Sequence, residues 1–171
     1  MCHGLVIMFQ IKQPSRIILG KNSTQNFHFD DNCLIITSNG SKKRGWLDYL
    51  NIKNYQIFDN VEPNPSIETV TKIIDKFSSS QITDIIGLGG GSCLDVAKYV
   101  GSKLQKKKIM IPTTFGSGSE VTRISVLKVN GKKQSFHDDS LFADIALVDS
   151  HFIQDSPIEI IRNSAIDALA Q

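Results

Sequence analysis

The residues best suited to chemistry lie in one stretch, Asp84-Ile-Ile-Gly-Leu-Gly-Gly-Gly-Ser92-Cys-Leu-Asp95-Val-Ala-Lys98, where an apolar run of strand character enters three consecutive glycines and leaves as a helix. Without side chains, Gly89, Gly90 and Gly91 allow the backbone to approach a ligand closely. Their N–H groups, together with the start of the following helix, suit a phosphate or pyrophosphate. A glycine turn that merely packs a helix tightly on a strand is the competing explanation. Two phosphate signatures are excluded by spacing: no Lys follows a glycine as in a P-loop. Nor does the next apolar run, Ile109-Met-Ile-Pro-Thr113, carry the acidic residue that an ordinary dinucleotide fingerprint places about 20 positions on.

A second small-residue loop, Ile111-Pro-Thr113-Thr114-Phe-Gly116-Ser117-Gly118-Ser119-Glu120, follows that run. In a parallel sheet both loops emerge at the carboxyl ends of their strands, on the edge where α/β folds bind ligands. Hydroxyls from Thr113, Thr114 and Ser117 could then reach phosphate or ribose.

The elements that would position these loops alternate in the manner of a parallel sheet with covering helices. Strands are expected at Arg16–Leu19, Leu34–Thr37, Tyr55–Phe58, Asp84–Gly87, Ile109–Ile111 and Ala143–Val148, each β-branched or aromatic and bounded by turn residues. Ile67, Val70, Ile73, Ile74 and Phe77 fall at helical spacing after Ser66, a suitable N-cap. A second helix is expected over Gly91–Leu104 and a weaker one over Asn39–Leu50. Asn130-Gly131, between Ile124 and Phe136, predicts a β-hairpin projecting from the α/β layer. Ser156-Pro157 opens a further helix, with Ser156 as cap and Pro157 at its first position, and no stop signal follows in Ile166–Gln171. This predicts one domain over residues 1–155 and, over 156–171, the first helix of a second domain whose remainder is missing.

Composition narrows the function. Nineteen basic and seventeen acidic residues among 171 give a net charge of +2, which offers no basis for a nucleic-acid or anionic-membrane partner. The longest apolar run, Leu5–Phe9, is far short of the roughly 20 residues of a membrane span and lacks the flanks of a secretory signal, so a cytoplasmic protein is expected. Cys2, Cys33 and Cys93 are too few and too irregular for a disulfide framework or zinc site and read as reduced thiols. His3, His28, His137 and His151 read as solvated surface, as do Lys106–Lys108 and Asp138–Asp139.

Three motifs, Gly-Gly-Gly-Ser-x-x-Asp-x-Ala-Lys at 89–98, Ile-Pro-Thr-Thr-x-Gly-Ser-Gly-Ser-Glu at 111–120 and Glu62-Pro-Asn-Pro65 upstream, together resemble the iron-containing (group III) alcohol dehydrogenases, relatives of glycerol dehydrogenase and dehydroquinate synthase. The resemblance covers essentially the whole chain. It implies a Rossmann-like NAD(P)-binding α/β domain followed by an all-helical domain holding a divalent metal, iron or zinc, with this chain as the first half. By similarity, Gly89, Gly90, Gly91 and Ser92 hold the pyrophosphate. Thr113, Thr114 and Ser117 line the cofactor cleft, and Asn64 and Lys133 match further cofactor-contacting positions.

Where many members carry an Asp for the adenosine ribose, this chain has Ser38 after Cys33–Thr37. A carboxylate there would repel a 2′-phosphate, whereas a neutral Ser tolerates one, so NADP is admissible beside NAD. A turn residue chosen for its backbone alone is the other reading of Ser38. Asp167-Ala-Leu-Ala-Gln171 resembles the family's metal-binding Asp-Ala-Leu-x-His. The i, i+4 spacing puts Asp167 and Gln171 on one helix face. An amide oxygen at Gln171, however, is a weaker ligand for iron or zinc than imidazole. Relatives acting on phosphonoacetaldehyde vary at this position, which admits a phosphonoacetaldehyde-like substrate.

The resulting expectation is the cofactor-binding half of an NAD(P)- and metal-dependent alcohol dehydrogenase interconverting a small aldehyde and primary alcohol, without turnover on its own. The rival is a non-catalytic nucleotide-binding or scaffold domain from a truncated gene. Metal-dependent chemistry of the dehydroquinate synthase kind is disfavoured by the form of the 111–120 loop. A homodimer, paired through the hairpin and Leu5–Phe9, is the expected assembly.

Overall fold

The computed structural model describes residues 10–154 and 156–170. The expectations placed on Cys2, His3, Leu5–Phe9 and Gln171 therefore lie outside the described residues. A six-stranded sheet, in the order β1-β8-β5-β4-β2-β3, is parallel throughout. Its strands are β1 (Arg16–Leu19), β2 (Cys33–Thr37), β3 (Tyr55–Phe58), β4 (Asp84–Gly89), β5 (Lys107–Pro112) and β8 (Ile145–Val148). The strands run as expected to within a few residues. β4 continues through Gly87 to Gly89 because Gly89 still pairs with Pro112, and β8 begins at Ile145 because a short 3-10 turn, Asp139–Leu141, occupies the approach.

Alternation along each strand divides the core into two layers. Leu34 and Ile36 of β2 face one way, with Ile85 and Met110. They are covered by α3 (Ile67–Phe77) and α4 (Gly91–Leu104), through Val70, Ile73, Phe77, Leu94 and Val100. Cys33 and Ile35 face the other way with Ile86, Leu88, Ile109 and Leu147, against Trp46, Leu47, Leu50 and Phe152. Ser66 caps α3 as anticipated, its Oγ accepting from Thr69 N–H at 3.3 Å. The Glu62 carboxylate accepts from the Ser66 N–H at 2.9 Å and the Thr69 hydroxyl at 2.7 Å. Burial pushes that carboxyl up, but these donors outweigh it and hold the group below its ordinary range.

Asn39–Leu50 is not one helix. It is broken into α1 (Asn39–Lys43) and α2 (Trp46–Tyr49), because Gly45 at φ +71° takes the left-handed conformation between them. A one-turn helix, α5 (His151–Gln154), is an addition that four residues of sequence did not announce. Ser156 does not cap α6 (Ile158–Ala170). The Pro157 carbonyl accepts from the N–H of Ile160 and Ile161, and the Ser156 hydroxyl instead donates to the Phe152 carbonyl at 3.0 Å. His151 is half-buried rather than solvated, its ring stacked on Tyr49 with centroids 3.7 Å apart.

The hairpin of β6 (Ile124–Val129) and β7 (Lys132–His137) forms its own two-stranded sheet around Asn130-Gly131. Its inner strand lies on α4. Leu127 joins the core, and the buried Ser125 donates to the Asp95 carbonyl at 3.0 Å. The Asp95 carboxylate accepts from Val126 N–H at 3.0 Å and Ser119 Oγ at 2.6 Å, tying the hairpin and the 3-10 turn Ser119–Val121 to α4. Lys98 is fully buried beneath them, 3.4 Å from Asp95 and donating to the carbonyls of Thr122 and Ile124. Burial lowers its pKa against the raising influence of Asp95, and burial raises that of Glu120 nearby.

Replacing Lys98→Met strips three acceptors of their donor while keeping apolar volume. It is expected to cost about 3 kcal/mol, read as a fall in the denaturant midpoint. At the opposite flank, buried Asp149 accepts from the N–H groups of Asn22, Thr24 and His151. Burial pushes its carboxyl up, but these donors and the Tyr49 hydroxyl outweigh it and hold the group below the ordinary carboxylate range. Its stabilisation is therefore present above the unfolded carboxyl's range and lost as pH falls through the lower folded value. Asp149→Asn is expected to cost about 2 kcal/mol at neutral pH, with the melting temperatures of the two proteins converging in acid.

Candidate functional site

The carboxyl ends of β2, β4 and β5 are laced together. Thr37 Oγ1 donates to the Leu88 carbonyl at 2.7 Å and Thr113 N–H to the Gly89 carbonyl at 3.0 Å, so the two small-residue loops begin side by side. Gly89 sits at φ +151°, where a Cβ would lie 2.7 Å from Cys93 Sγ; only glycine makes this turn into α4. Gly90 is the N-cap of the fourteen-residue α4, its carbonyl accepting from Cys93 and Leu94 N–H. The first N–H groups of such a helix have no intrahelical acceptor and concentrate positive potential.

The next two glycines serve the loop contact. A Cβ at Gly90 would stand 3.1 Å from Thr114 Oγ1, and one at Gly91 3.2 Å from Ser117 Cβ. The space saved by the missing side chains is thus taken by the hydroxyl loop, which closes on the glycine turn. Gly116, at φ +93°, lets the same loop pass under α6: a Cβ there would be 2.8 Å from Asp167 Cβ and 2.9 Å from the Ala168 nitrogen.

Two adjoining clefts result. The larger, about 600 Å³, is lined by Asn64, Gly91, Ser92, Thr114, Ser117, Lys133 and Asp167, with Pro65, Asp95, Lys128 and Asn163. The smaller, about 160 Å³, is lined by Ser38, Gly89, Gly90, Thr113 and Thr114, with Ser41, Arg44 and Trp46. Thr114 and Ile160 border both. Every described residue singled out from the sequence for a cofactor or metal therefore lines one of two clefts that meet over the glycine turn. Asn64 reaches its place through φ +52°, a conformation Asn tolerates, at the turn that the Glu62 carboxylate fastens to α3.

Some lining residues were not legible as such. Lys128 pairs directly with Lys133 across the hairpin, and among the described residues neither ammonium has a carboxylate partner. The Asn-Gly turn fixes that register, so the pairing could have been counted from it. Like charges set opposite each other repel, and a bound anion would relieve the repulsion. Arg44 ends a basic run after Ser38 and lies 5.1 Å over the Trp46 ring. Cys93 is no nucleophile: burial pushes its thiol up to about 12, the Ser38 hydroxyl pulling only weakly against it.

The surface suits a dinucleotide, offering backbone donors, hydroxyls and ammonium groups over two clefts that share Thr114 and Ile160. A metal ion does not find a site in it. Asp167 lies at the cleft, but no group of three His, Cys, Asp or Glu among the described residues could hold an ion. Cys33 and Cys93 are free and buried, and no described helix is long and apolar enough to cross a membrane.

Comparison with known proteins agrees with this geometry. The family profile described as iron-containing alcohol dehydrogenase matches residues 14–150. Long-chain-alcohol dehydrogenase 1 of Geobacillus thermodenitrificans is 37% identical over 134 residues, 66% of this chain and 34% of that protein. The 4-hydroxybutyrate dehydrogenase of Clostridium kluyveri is 35% identical over 123 residues, 61% of this chain and 33% of its own length. Among solved structures, an iron-containing alcohol dehydrogenase from Thermotoga maritima superposes with a TM-score of 0.84 at 28% identity, covering 95% of this chain and 53% of that one. A sulfoacetaldehyde reductase from Bifidobacterium kashiwanohense, solved in complex with NAD+, shares the fold with a TM-score of 0.85 at 23% identity, covering 95% of this chain and 51% of that one. The chain thus spans a third to a half of the length of these relatives, whose family uses NAD(P) and a divalent metal. With the profile matched across most of its length and both small-residue loops in register on one sheet edge, the chain belongs to the iron-containing alcohol dehydrogenase family.

Proposed function

We propose that the chain binds NAD(P) over its glycine turn and acts as the cofactor-binding half of an alcohol dehydrogenase that interconverts a small aldehyde and a primary alcohol. The observation that carries this is the meeting of the two clefts at Gly89–Ser92 and Thr113–Ser117, which unites residues from six separate segments. Residues 1–155 are the dinucleotide-binding unit in this reading, and 156–171 open a helical unit. Asp167 is one metal ligand of the full assembly, and Gln171, four positions on in sequence, is a second. The protein's compartment is the cytoplasm.

Each part of the chain has a task. The N–H groups at the start of α4 hold the pyrophosphate without a side chain, and the helix dipole favours its charge. Lys128 and Lys133 add positive charge from the hairpin side, and Asn64 closes the same wall. The hydroxyls of Thr113, Thr114 and Ser117 orient ribose and phosphate oxygens. The Asp95 carboxylate lies 3.4 Å from the Lys98 ammonium, whose charge offsets its own, and its bonds from Ser119 and Val126 keep the hydroxyl loop in place. Once bound, the nicotinamide supplies the hydride acceptor or donor. Among the described residues no group of three His, Cys, Asp or Glu side chains comes together to hold a metal ion. Dehydrogenase turnover then depends on groups beyond these residues, and the 171-residue chain alone binds cofactor without turning over.

Calorimetric titration with NAD+, NADP+ and ADP-ribose is expected to show one site per chain. Gly90→Val, which forces Thr114 off the glycine turn, should weaken binding at least about tenfold while leaving the far-UV circular dichroism unchanged. Absence of binding by all three ligands at millimolar concentration would overturn the reading. The isolated chain should also reduce no aldehyde with added zinc or ferrous ion; robust metal-dependent reduction would contradict the assignment of turnover to other groups.

A further inference from the structure

We propose that the chain selects the 2′-phosphorylated dinucleotide, NADP, and that Arg44 is the residue that reads the 2′-phosphate. This rests on the dinucleotide reading above and adds which of the two cofactors the site prefers. The smaller cleft runs from the glycine turn to Ser38, just past the end of β2. In parallel α/β sheets, a dinucleotide whose pyrophosphate lies on the glycine turn places its adenosine ribose at that strand end. A carboxylate there holds the 2′-hydroxyl and repels a phosphate, whereas a nearby Arg accommodates one.

No carboxylate lines this cleft among the described residues. Instead it is bordered by the hydroxyls of Ser38 and Ser41 and by the guanidinium of Arg44. That guanidinium is placed by two contacts. Its carbon lies over the Trp46 ring at 5.1 Å. On its other side it folds over bare backbone, since a Cβ at Gly40 would be 2.9 Å from Arg44 Nη1 and 3.6 Å from Ser38 Oγ. Both groups thus border the space that Gly40 leaves without a side chain.

The carboxylate just past β3, Asp59, is already engaged by Lys42 Nζ at 2.8 Å, so it neither neutralises Arg44 nor competes for it. Arg44 is left with planar donors facing a cleft of hydroxyls, an arrangement suited to bidentate contact with a phosphate and of little use to a ribose hydroxyl.

The test is titration of the 171-residue chain with NADP+ and with NAD+ at one ionic strength, read as the ratio of the two dissociation constants. The wild type is expected to bind NADP+ at least about tenfold more tightly. Arg44→Gln should bring the ratio to within about threefold of unity, and Ser38→Asp should reverse it in favour of NAD+. Adenosine 2′-monophosphate should compete with NADP+ better than the 5′-isomer does, and should lose that advantage in Arg44→Gln. A wild-type ratio near one or favouring NAD+, or a ratio unmoved by Arg44→Gln, overturns the proposal. If Arg44→Gln fails to fold by circular dichroism, the wild-type ratio and the Ser38→Asp reversal decide it alone. Binding of both dinucleotides with equal strength sinks only this inference, whereas binding of neither sinks the dinucleotide reading beneath it.

Discussion

The contact between two loops that carry almost no side-chain bulk is the constraint on which the structure depends. Thr114 and Ser117 occupy the places where side chains on Gly90 and Gly91 would stand, and Gly116 does the same service beneath Asp167 of α6. Three surfaces, the start of α4, the hydroxyl loop and α6, therefore approach one another closely enough to share two clefts. A bulky side chain at these glycines would push the surfaces apart, most directly at Gly116, where the obstacle is backbone. The donors would remain, but they would no longer converge on one ligand.

Around that contact the fold spends buried charge to keep loops still. Asp95 and Lys98, one turn apart on α4, reach the backbone of the 3-10 turn and of the hairpin. Buried ion pairs are poor sources of net stability, because desolvation consumes most of the Coulomb gain. What they supply here is position: the Lys128–Lys133 pair and the hydroxyl loop are both fixed relative to the helix whose N-terminus they face. Asp149 plays the equivalent part at the other flank, fastening the 22–24 segment and α5 behind β8.

Much of this was legible in the sequence, for identifiable reasons. The parallel sheet declared itself because strands buried on both faces need near-continuous apolar runs, as Cys33–Ile36 and Ile85–Gly89 supply. α3 and α4 were readable from helical spacing with a cap or a glycine turn before each. The glycine turn and the hydroxyl loop were readable because only small residues permit that approach. What escaped were features set by one backbone angle or by tertiary packing. Gly45 at φ +71° splits Asn39–Leu50, and an isolated Gly inside a helical pattern does not say whether it will be tolerated. His151 lies against Tyr49, a hundred residues away in sequence, and no local pattern records such a partner. Asp95 and Lys98 stood within a recognised motif, yet their engagement with the hairpin follows only from its docking on α4. Gln171 is beyond the described residues, so the metal expectation is carried by Asp167 alone.

The central claim, that the amides and hydroxyls gathered at this sheet edge grip a dinucleotide, is tested most directly by amide-resolved NMR of the 15N-labelled chain during addition of NADP+. The account predicts saturable shifts concentrated at Gly89–Cys93, Thr113–Ser117 and the Lys128–Lys133 hairpin pair, with β1 and the amino-terminal ends of β4 and β5 unmoved. Shifts scattered over that opposite end, or none at the glycine turn under saturating cofactor, would contradict it.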